Sequence, residues 1–312
     1  VDPIDDVLAA RSAEDSQYLK VEAHGAWGIS FRSPRTTHVM MIRSGRCWQL
    51  APDADPEPLA PGNCFLVRAG AEFALVDEPG RALVSCESLL ASRRGSSVRH
   101  GTEGSVTEIV SARLAFDTGA AEPLLKVLPP VLRLDLDDSI GDALRSTFRL
   151  LELERTSSSF GSGFVMSRLA DALFVYALRT HVSSAEGSHG WLSALSDPQL
   201  APALHDLHAD LAHPWTVEEL ARRAGMSRAA FAAAFRRKTG DSPINYLTYW
   251  RMHRAKALLR DTESNLQQIA LAIGYDTDAA FSRAFRRHQS IAPGAWRRRR
   301  RASAGDSGEA AG

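Results

Sequence analysis

Between residues 20 and 90 the chain alternates short apolar runs with turn-forming residues. The runs AWGISF, HVMMI, RCWQL, NCFLV, EFALV and ALVSC are separated by breakers at Ser44-Gly45, Pro52 to Pro58, Pro61-Gly62 and Pro79-Gly80. Many short runs at close spacing, rich in β-branched and aromatic residues, predict a β-sandwich or barrel. The polar stretch SRRGSSVRHGTEGS reads as a loop, and two more strand-like runs follow it, Val106 to Val110 and Arg113 to Phe116. From about Glu122 the pattern turns helical, with PPVLRL as a break at Pro129-Pro130. Two helices are then legible, Ser139 to Glu154 and Phe164 to Val182. In the second, Val165, Leu169, Leu173 (or Ala172) and Tyr176 make an apolar stripe that suits either core packing or a dimer seam. The segment WLSALSDPQL leads into a further helix, Gln199 to Leu211. Strands followed by helices predict an α+β multidomain chain. Its expected parts are a β domain over 1–120, a helical linker and dimerisation region over 121–198, an all-α domain over 199–301 and a disordered tail over 302–312. The tail has no large apolar residue to bury.

The all-α part contains one pattern twice, in Leu220 to Tyr246 and again in Ile269 to Trp296. Ala221 and Gly225 correspond to Ala270 and Gly274 at a spacing of 49. Phe231, Phe235, Arg236, Arg237 and Pro243 correspond to Phe281, Phe285, Arg286, Arg287 and Pro293 at a spacing of 50, so one residue is inserted in the second turn. Each copy has an apolar-periodic helix, a glycine where the chain must turn, and a second helix with Phe at i and i+4. That is the pattern of a helix-turn-helix, whose second helix enters a DNA major groove. Two hairpins packed as a plain bundle would not require the glycine at the same place, nor the Arg-Arg that ends each second helix.

Charge sharpens this reading. The 312-residue chain has a formal net charge of zero. Residues 200–301, however, hold 18 Lys/Arg against 9 Asp/Glu, a net of +9, and residues 1–199 hold 19 against 26, a net of −7. A basic module joined to an acidic partner domain is what a nucleic-acid binder would show. No stretch approaches the ~20 apolar residues of a membrane span. The start, VDPIDDVLAARSAED, lacks the basic and apolar regions of a secretory signal. Cys47, Cys64 and Cys86 form no metal-ligand cluster and cannot all pair. These features predict a cytoplasmic protein.

The second copy, A-x-x-x-G-Y-x-x-x-x-x-F-S-R-A-F-R-R followed by P-x-x-W-R, resembles the signature of the AraC/XylS family of bacterial transcription regulators, over about residues 200–300. The resemblance implies two helix-turn-helix units joined by one helix, reading successive major-groove segments of double-stranded promoter DNA, with RNA polymerase as a further partner of an activator. The segment Ile244 to Leu258 suits the joining helix and would span roughly 22 Å at 1.5 Å per residue. With the flanking units, that places two recognition helices about one DNA turn, ~34 Å, apart. The first half resembles the cupin-type sensor domain of many such regulators, through Trp27, His38, Gly45 to Trp48 and Pro61 to Leu66. From Gly62 the chain keeps the cupin spacing G-x5-P-x-G-x2-H, but Arg68 replaces the proline and Phe73 the histidine; likewise His38 is followed at i+2 by Met40, not by a second histidine. One histidine falls short of the three or four N/O donors a divalent metal needs. We therefore expect no metal, no cofactor and no catalytic residue.

The combined reading is an N-terminal cupin-like β-barrel or sandwich, a helical linker and a C-terminal all-α double helix-turn-helix domain. It describes a sequence-specific regulator controlled by a signal, a small-molecule effector, sensed in the cupin-like domain, and the resemblance points to a homodimer. On the second recognition helix the outward row is Ala279, Ser282, Arg283 and Arg286, beside Asp278 and Arg287. Arg283 is placed to grip a guanine, and Arg286 to reach phosphate. On the first, the row is Ala229, Ala232, Ala233 and Arg236, so this unit is expected to anchor through Arg228, Arg236, Arg237 and Lys238 with weak base selection. The run Arg297 to Arg301 is expected to touch phosphate. Alternative readings are an oxidant-responsive regulator acting through Cys47 and Cys64, or a cupin-type enzyme.

Overall fold

The computed structural model describes residues 4, 17–32, 36–52, 54–91, 97–116, 118–157, 159–184 and 190–299. The chain divides into two compact units, one of residues 8–187 and one of residues 188–312 with 1–7. In the first unit, strands β1 (Gln17–His24), β3 (Thr36–Ser44), β6 (Cys64–Val67), β9 (Ser97–Gly101), β10 (Val106–Ala115) and β11 (Val131–Leu134) form one sheet. Its order is β11-β6-β3-β10-β1-β9. The second sheet holds β2 (Gly28–Arg32), β4 (Cys47–Leu50), β5 (Glu57–Leu59), β7 (Glu72–Val76) and β8 (Val84–Ser85), in the order β5-β4-β7-β2-β8.

Strand alternation builds the core between these sheets. Leu19 and Val21 of β1, Met40 and Ile42 of β3 and Ile109 of β10 join Ile29, Phe31, Phe73 and Leu75 of the second sheet in one buried cluster. Their neighbours Lys20, Glu22, Arg43 and Glu108 stand on the opposite face of the six-stranded sheet and pair there: Lys20 Nζ lies 2.8 Å from Glu22 and 2.9 Å from Glu108.

Several elements depart from the expectations. Of ALVSC only Val84 and Ser85 are strand, and Cys86 opens a short helix, α1 (Cys86–Ala91). The polar stretch read as a loop contains β9, an edge strand parallel to β1. An edge strand needs one buried anchor, Val98, so it leaves almost no apolar pattern. Val106 to Phe116 is not two strands: β10 runs unbroken to Ala115, with a register shift at Glu108/Ile109. β11 lies directly after the Pro-Pro break, paired with β6.

Helices α2 (Thr118–Val127), α3 (Ser139–Ser157) and α4 (Ser162–Ser184) belong to this same unit rather than to a separate linker. The Phe174 ring of α4 lies 5.1 Å from that of Phe116, and the Tyr18 hydroxyl of β1 donates to Glu152 of α3 at 2.7 Å. The buried face of α4 is Ala170, Leu173, Phe174, Ala177 and Leu178, whereas Val165 of the expected stripe is exposed. Apolar residues surround most of this helix, so periodicity alone leaves its phase open.

The second unit is helical: α5 (Trp191–Ala194), α6 (Ala201–Ala209), α7 (Val217–Arg223), α8 (Arg228–Thr239), α9 (Pro243–Asp261), α10 (Leu266–Ala272) and α11 (Asp278–Gln289), followed by helical residues 293–299. It begins at 188, earlier than the expected 199, because Trp191 packs edge-on against Trp250 at 5.0 Å and the Gly190 amide donates to the Lys238 carbonyl at 2.8 Å. Among the described residues, no helix is long and apolar enough to cross a membrane. The expected disordered tail, 302–312, lies outside the described residues.

The charged face of the larger sheet makes stability pH-dependent. Hydrogen bonds from Arg155, at 2.6 and 3.1 Å, and then the one from Tyr18 hold the Glu152 carboxyl at about 2. A carboxyl depressed on folding stabilises the fold above its unfolded value, near 4.3, and that stability is lost as pH falls toward 2. Glu152→Gln should therefore cost ~1–2 kcal/mol at pH 7, discounted for solvent screening, and flatten the decline between pH 5 and 2. Denaturant midpoints of the full chain across that range check this.

Candidate nucleic-acid interface

Each sequence copy folds as a helix, a turn and a second helix, and a side chain caps the start of every one of these helices. In the first, the Thr216 hydroxyl accepts from the Glu219 amide to cap α7, the turn passes through Gly225 at φ 63°, and Ser227 caps α8 by accepting from the Ala230 amide. Gly240, left-handed, ends α8. In the second, Asn265 and Gln268 form a reciprocal capping box on α10, Gly274 makes the turn at φ 81°, and Thr277 accepts from the Ala280 amide to cap α11. Ser290 holds the left-handed terminal position that Gly240 holds in the first copy. Each such cap is worth about 1 kcal/mol.

The phenylalanine pairs face inward as their spacing requires. Phe231 and Phe235 are buried beside Tyr246, which packs in turn on Trp250 and His208. His208 Nε2 meets the Tyr246 hydroxyl at 2.8 Å, and burial lowers the histidine to about 3, so it is neutral. Phe281 and Phe285 are buried with Ile269, Ala270 and Ile273, against Met252, Ala255 and Leu259. The joining helix α9 thus supplies Tyr246, Leu247 and Trp250 to the first core and Met252, Ala255 and Leu259 to the second. It is longer than the expected Ile244 to Leu258 segment.

With those faces buried, the opposite faces of α8 and α11 are free. Arg228, Ala229, Ala233, Arg236 and Arg237 are exposed on the first, with Ala232 and Lys238 partly so. On the second, Asp278, Ala279, Arg283, Arg286 and Arg287 are exposed and Ser282 is half-buried. None of the seven cations Arg228, Arg236, Arg237, Lys238, Arg283, Arg286 and Arg287 has an ion-pair partner among the described residues. Asp278 opens α11, its backbone amide donating to Gln267 at 3.1 Å, where a negative side chain complements the helix dipole.

Two arginines play parts that sequence reasoning missed. Arg297, expected to touch phosphate, donates instead to the Leu259 carbonyl at 3.1 Å and the Ser264 carbonyl at 2.7 Å, satisfying the orphan end of α9. Arg298 and Arg299 are exposed, and Arg300 and Arg301 lie outside the described residues. Arg251 of α9 donates to the Leu211 carbonyl at 2.7 Å and the His213 carbonyl at 2.9 Å, and its guanidinium lies 5.8 Å from the centre of the Tyr275 ring. It therefore ties the loop before the first helix-turn-helix to the turn of the second. No local pattern distinguishes it from the surface arginines.

The β unit offers no chemistry of its own at the place where a cupin would hold a metal. Phe73 stacks on Phe31 at 4.6 Å and meets Phe65 edge-on at 6.2 Å, and Met40 is fully buried in the same cluster. The remaining histidine, His38, contacts Ser111 Oγ at 3.2 Å, and desolvation lowers it to about 3. One imidazole, a thioether and aromatic rings do not fit a divalent cation. The cysteine reading gains no support from this geometry. Cys47 and Cys64 are buried, and desolvation pushes the Cys47 thiol up to about 12 and the Cys64 thiol higher still, so the reactive thiolate is suppressed.

Residues 2–183 match the family described as Cupin, and residues 220–299 match that described as Helix-turn-helix domain. A putative AraC-like transcription regulator of Streptomyces lividans is 33% identical over 301 residues, which are 96% of this chain and 98% of the relative. The HTH-type transcriptional regulator AlkR of Acinetobacter baylyi is 28% identical over 284 residues, 89% of this chain and 93% of that protein. A solved AraC-type DNA-binding regulator structure from Chromobacterium violaceum is 32% identical, covers 34% of this chain and 96% of that one, and has a TM-score of 0.32.

The two turns differ in what a side chain would meet. A Cβ on Gly225 has nothing within 4 Å, whereas on Gly274 it would lie 2.4 Å from the Ala212 carbonyl oxygen. Gly225→Ala should cost ~1–2 kcal/mol, the left-handed penalty alone. Gly274→Ala should cost more, about 2–4 kcal/mol, because backbone must also shift. Conversely, Ser290→Gly should gain ~0.5–1 kcal/mol by relieving its left-handed strain. Denaturant unfolding of the three variants orders them.

Proposed function

The chain belongs to the AraC-like transcription regulators that join a cupin domain to a helix-turn-helix domain, and on that premise we propose how it engages promoter DNA. It is a DNA-binding regulator rather than an enzyme, as its relatives are named. In our reading α8 and α11 enter successive major grooves, about one turn (~34 Å) apart, in cytoplasmic DNA. The observation that carries this is the pair of outward helix faces bearing seven cations without acidic partners among the described residues, both built on α9. Such cations are free to replace counterions along the phosphate backbone.

The two faces divide the work. Arg283 and Ser282 supply hydrogen bonds for base edges, and Arg286 and Arg287 bind phosphate. The first helix presents Ala229, Ala232 and Ala233, whose methyl groups meet thymine methyls but donate nothing, so it anchors through Arg228, Arg236, Arg237 and Lys238. The finer partners are proposals as well: a small-molecule effector in the β unit, RNA polymerase where the protein activates, and a second copy of the chain. Pairing with a second copy is supported by the exposed Leu150, Phe160 and Phe164, on α3, in the turn that follows it and at the start of α4. Leu150→Glu with Phe164→Glu should then leave a monomer in sedimentation velocity, and an unchanged oligomer would exclude this surface.

Arg283→Ala should lose ~1–3 kcal/mol at the selected operator and relax one base position. Arg236→Ala should weaken specific and non-specific DNA alike and reduce the salt slope by about one unit. A binding-site selection should find less information under the first unit than under the second; equal information in both half-sites would refute the division of labour.

A further inference from the structure

In the interior of the β unit Phe31, Phe65 and Phe73 pack against one another, and the outer face of the larger sheet carries a cleft. A space of about 300 Å³ lies between the larger sheet and α3. Its apolar lining is Met41 and Val110 from the sheet with Phe148 and Leu153 from the helix. Met41 and Val110 are cross-strand partners on the face opposite the core. Val110 and Phe148 are buried there and Met41 is half-buried, so the apolar surface left open in the cleft is that of Met41 and the exposed Leu153.

The polar groups at this cleft select the sign of a ligand. Glu152 is already satisfied, by the Tyr18 hydroxyl at 2.7 Å and by Arg155 at 2.6 and 3.1 Å. It has little left to offer a cation. Arg43 is the opposite case: its side chain is 46% exposed and stands 3.4 Å from Glu152 and 3.7 Å from Glu108, at charge-contact rather than hydrogen-bond distance. Arg149, also lining the cleft, is exposed and has no ion pair among the described residues. Two guanidiniums with spare donors beside an apolar floor suit a planar carboxylate, which arginine binds bidentately.

We propose that this cleft is the effector site, and that it takes a small monocarboxylate with a compact apolar body, an aromatic or medium-chain aliphatic acid. The volume lies at the lower end for small-molecule sites, which fits a ligand of that size. The carboxylate bridges Arg43 and Arg149, and the apolar body covers Met41 and Leu153. Because one wall is sheet and the other is α3, the ligand adds contacts between two elements of the β unit. The helix packed beside α3, α4, ends at Ser184, four residues before the second unit begins at 188. This inference rests on the regulator reading above and names the chemistry of its effector.

The test uses the full-length chain with 4-tert-butylbenzoate and octanoate as probes, and 4-tert-butylbenzamide and octylamine as neutral and cationic counterparts. Calorimetric titration should give saturable carboxylate binding, at least tenfold weaker for the amide and amine. Arg43→Met and Arg149→Met should each weaken it at least tenfold. Arg149 is exposed and makes no ion pair or hydrogen bond among the described residues, so its variant keeps the test valid if Arg43→Met unfolds. Leu153→Trp, at an exposed position, should block the cleft and abolish binding. No saturable carboxylate binding at millimolar concentration, equal binding of the amine, or undiminished binding in Arg149→Met and Leu153→Trp would overturn the proposal. DNA binding by the ligand-free chain, measured in parallel, separates the two readings. Salt-sensitive DNA binding without carboxylate binding removes only the effector site; carboxylate binding without DNA binding removes the regulator reading and leaves the cleft.

Discussion

The helical unit depends on a single shared helix. α9 packs Tyr246 and Trp250 into the core behind the first recognition helix and Met252, Ala255 and Leu259 into the core behind the second. Each fully buried aromatic or aliphatic side chain of this kind contributes on the order of 1.5–3 kcal/mol. Neither helix-turn-helix therefore has a complete core without α9, and their relative orientation is a property of that helix. Rigid spacing is what reading two successive grooves demands, since a misplaced second helix would lose its base contacts while keeping phosphate attraction. Arg251 and Arg297 complete the same frame from its two sides, their guanidiniums satisfying backbone carbonyls that would otherwise be orphaned.

The β unit illustrates how one fold exchanges chemistry for packing. Where metal-binding cupins converge histidines, this chain stacks Phe31 on Phe73 with Phe65 edge-on, and leaves a neutral His38 held by Ser111. The outer face of the larger sheet carries the ion pairs instead. There Lys20, Glu22, Arg43, Glu108, Glu152 and Arg155 form a charge network roofed by α3. The same burial that stabilises the interior raises the thiol pKa of Cys47 and Cys64 and so disfavours their thiolates.

Much of the candidate interface was legible in the residues themselves. Glycine at equivalent turns, Phe pairs at i and i+4 and terminal Arg-Arg are local signals, and they located the second helix of each unit and the row of residues exposed along it. The arginine run was not legible in the same way. Arg297 and Arg298 are neighbours of identical type, yet one bonds two distant carbonyls and the other is exposed. Charge runs carry no record of which member the fold recruits.

By itself the sequence determined the strand-rich and helical halves, the repeated helix-turn-helix and the loss of the metal donors, because each is written in short-range periodicity or in residue identity. Tertiary structure alone decided the rest. It paired the edge strand β9 with β1, made α3 and α4 part of the β unit and turned α4 toward Phe116. It also placed the start of the helical unit at 188 and assigned Arg251 to the turn of the second helix-turn-helix. Those outcomes depend on partners dozens of residues away, and a pattern with a period of two or 3.6 residues encodes which face is apolar, not what that face will meet.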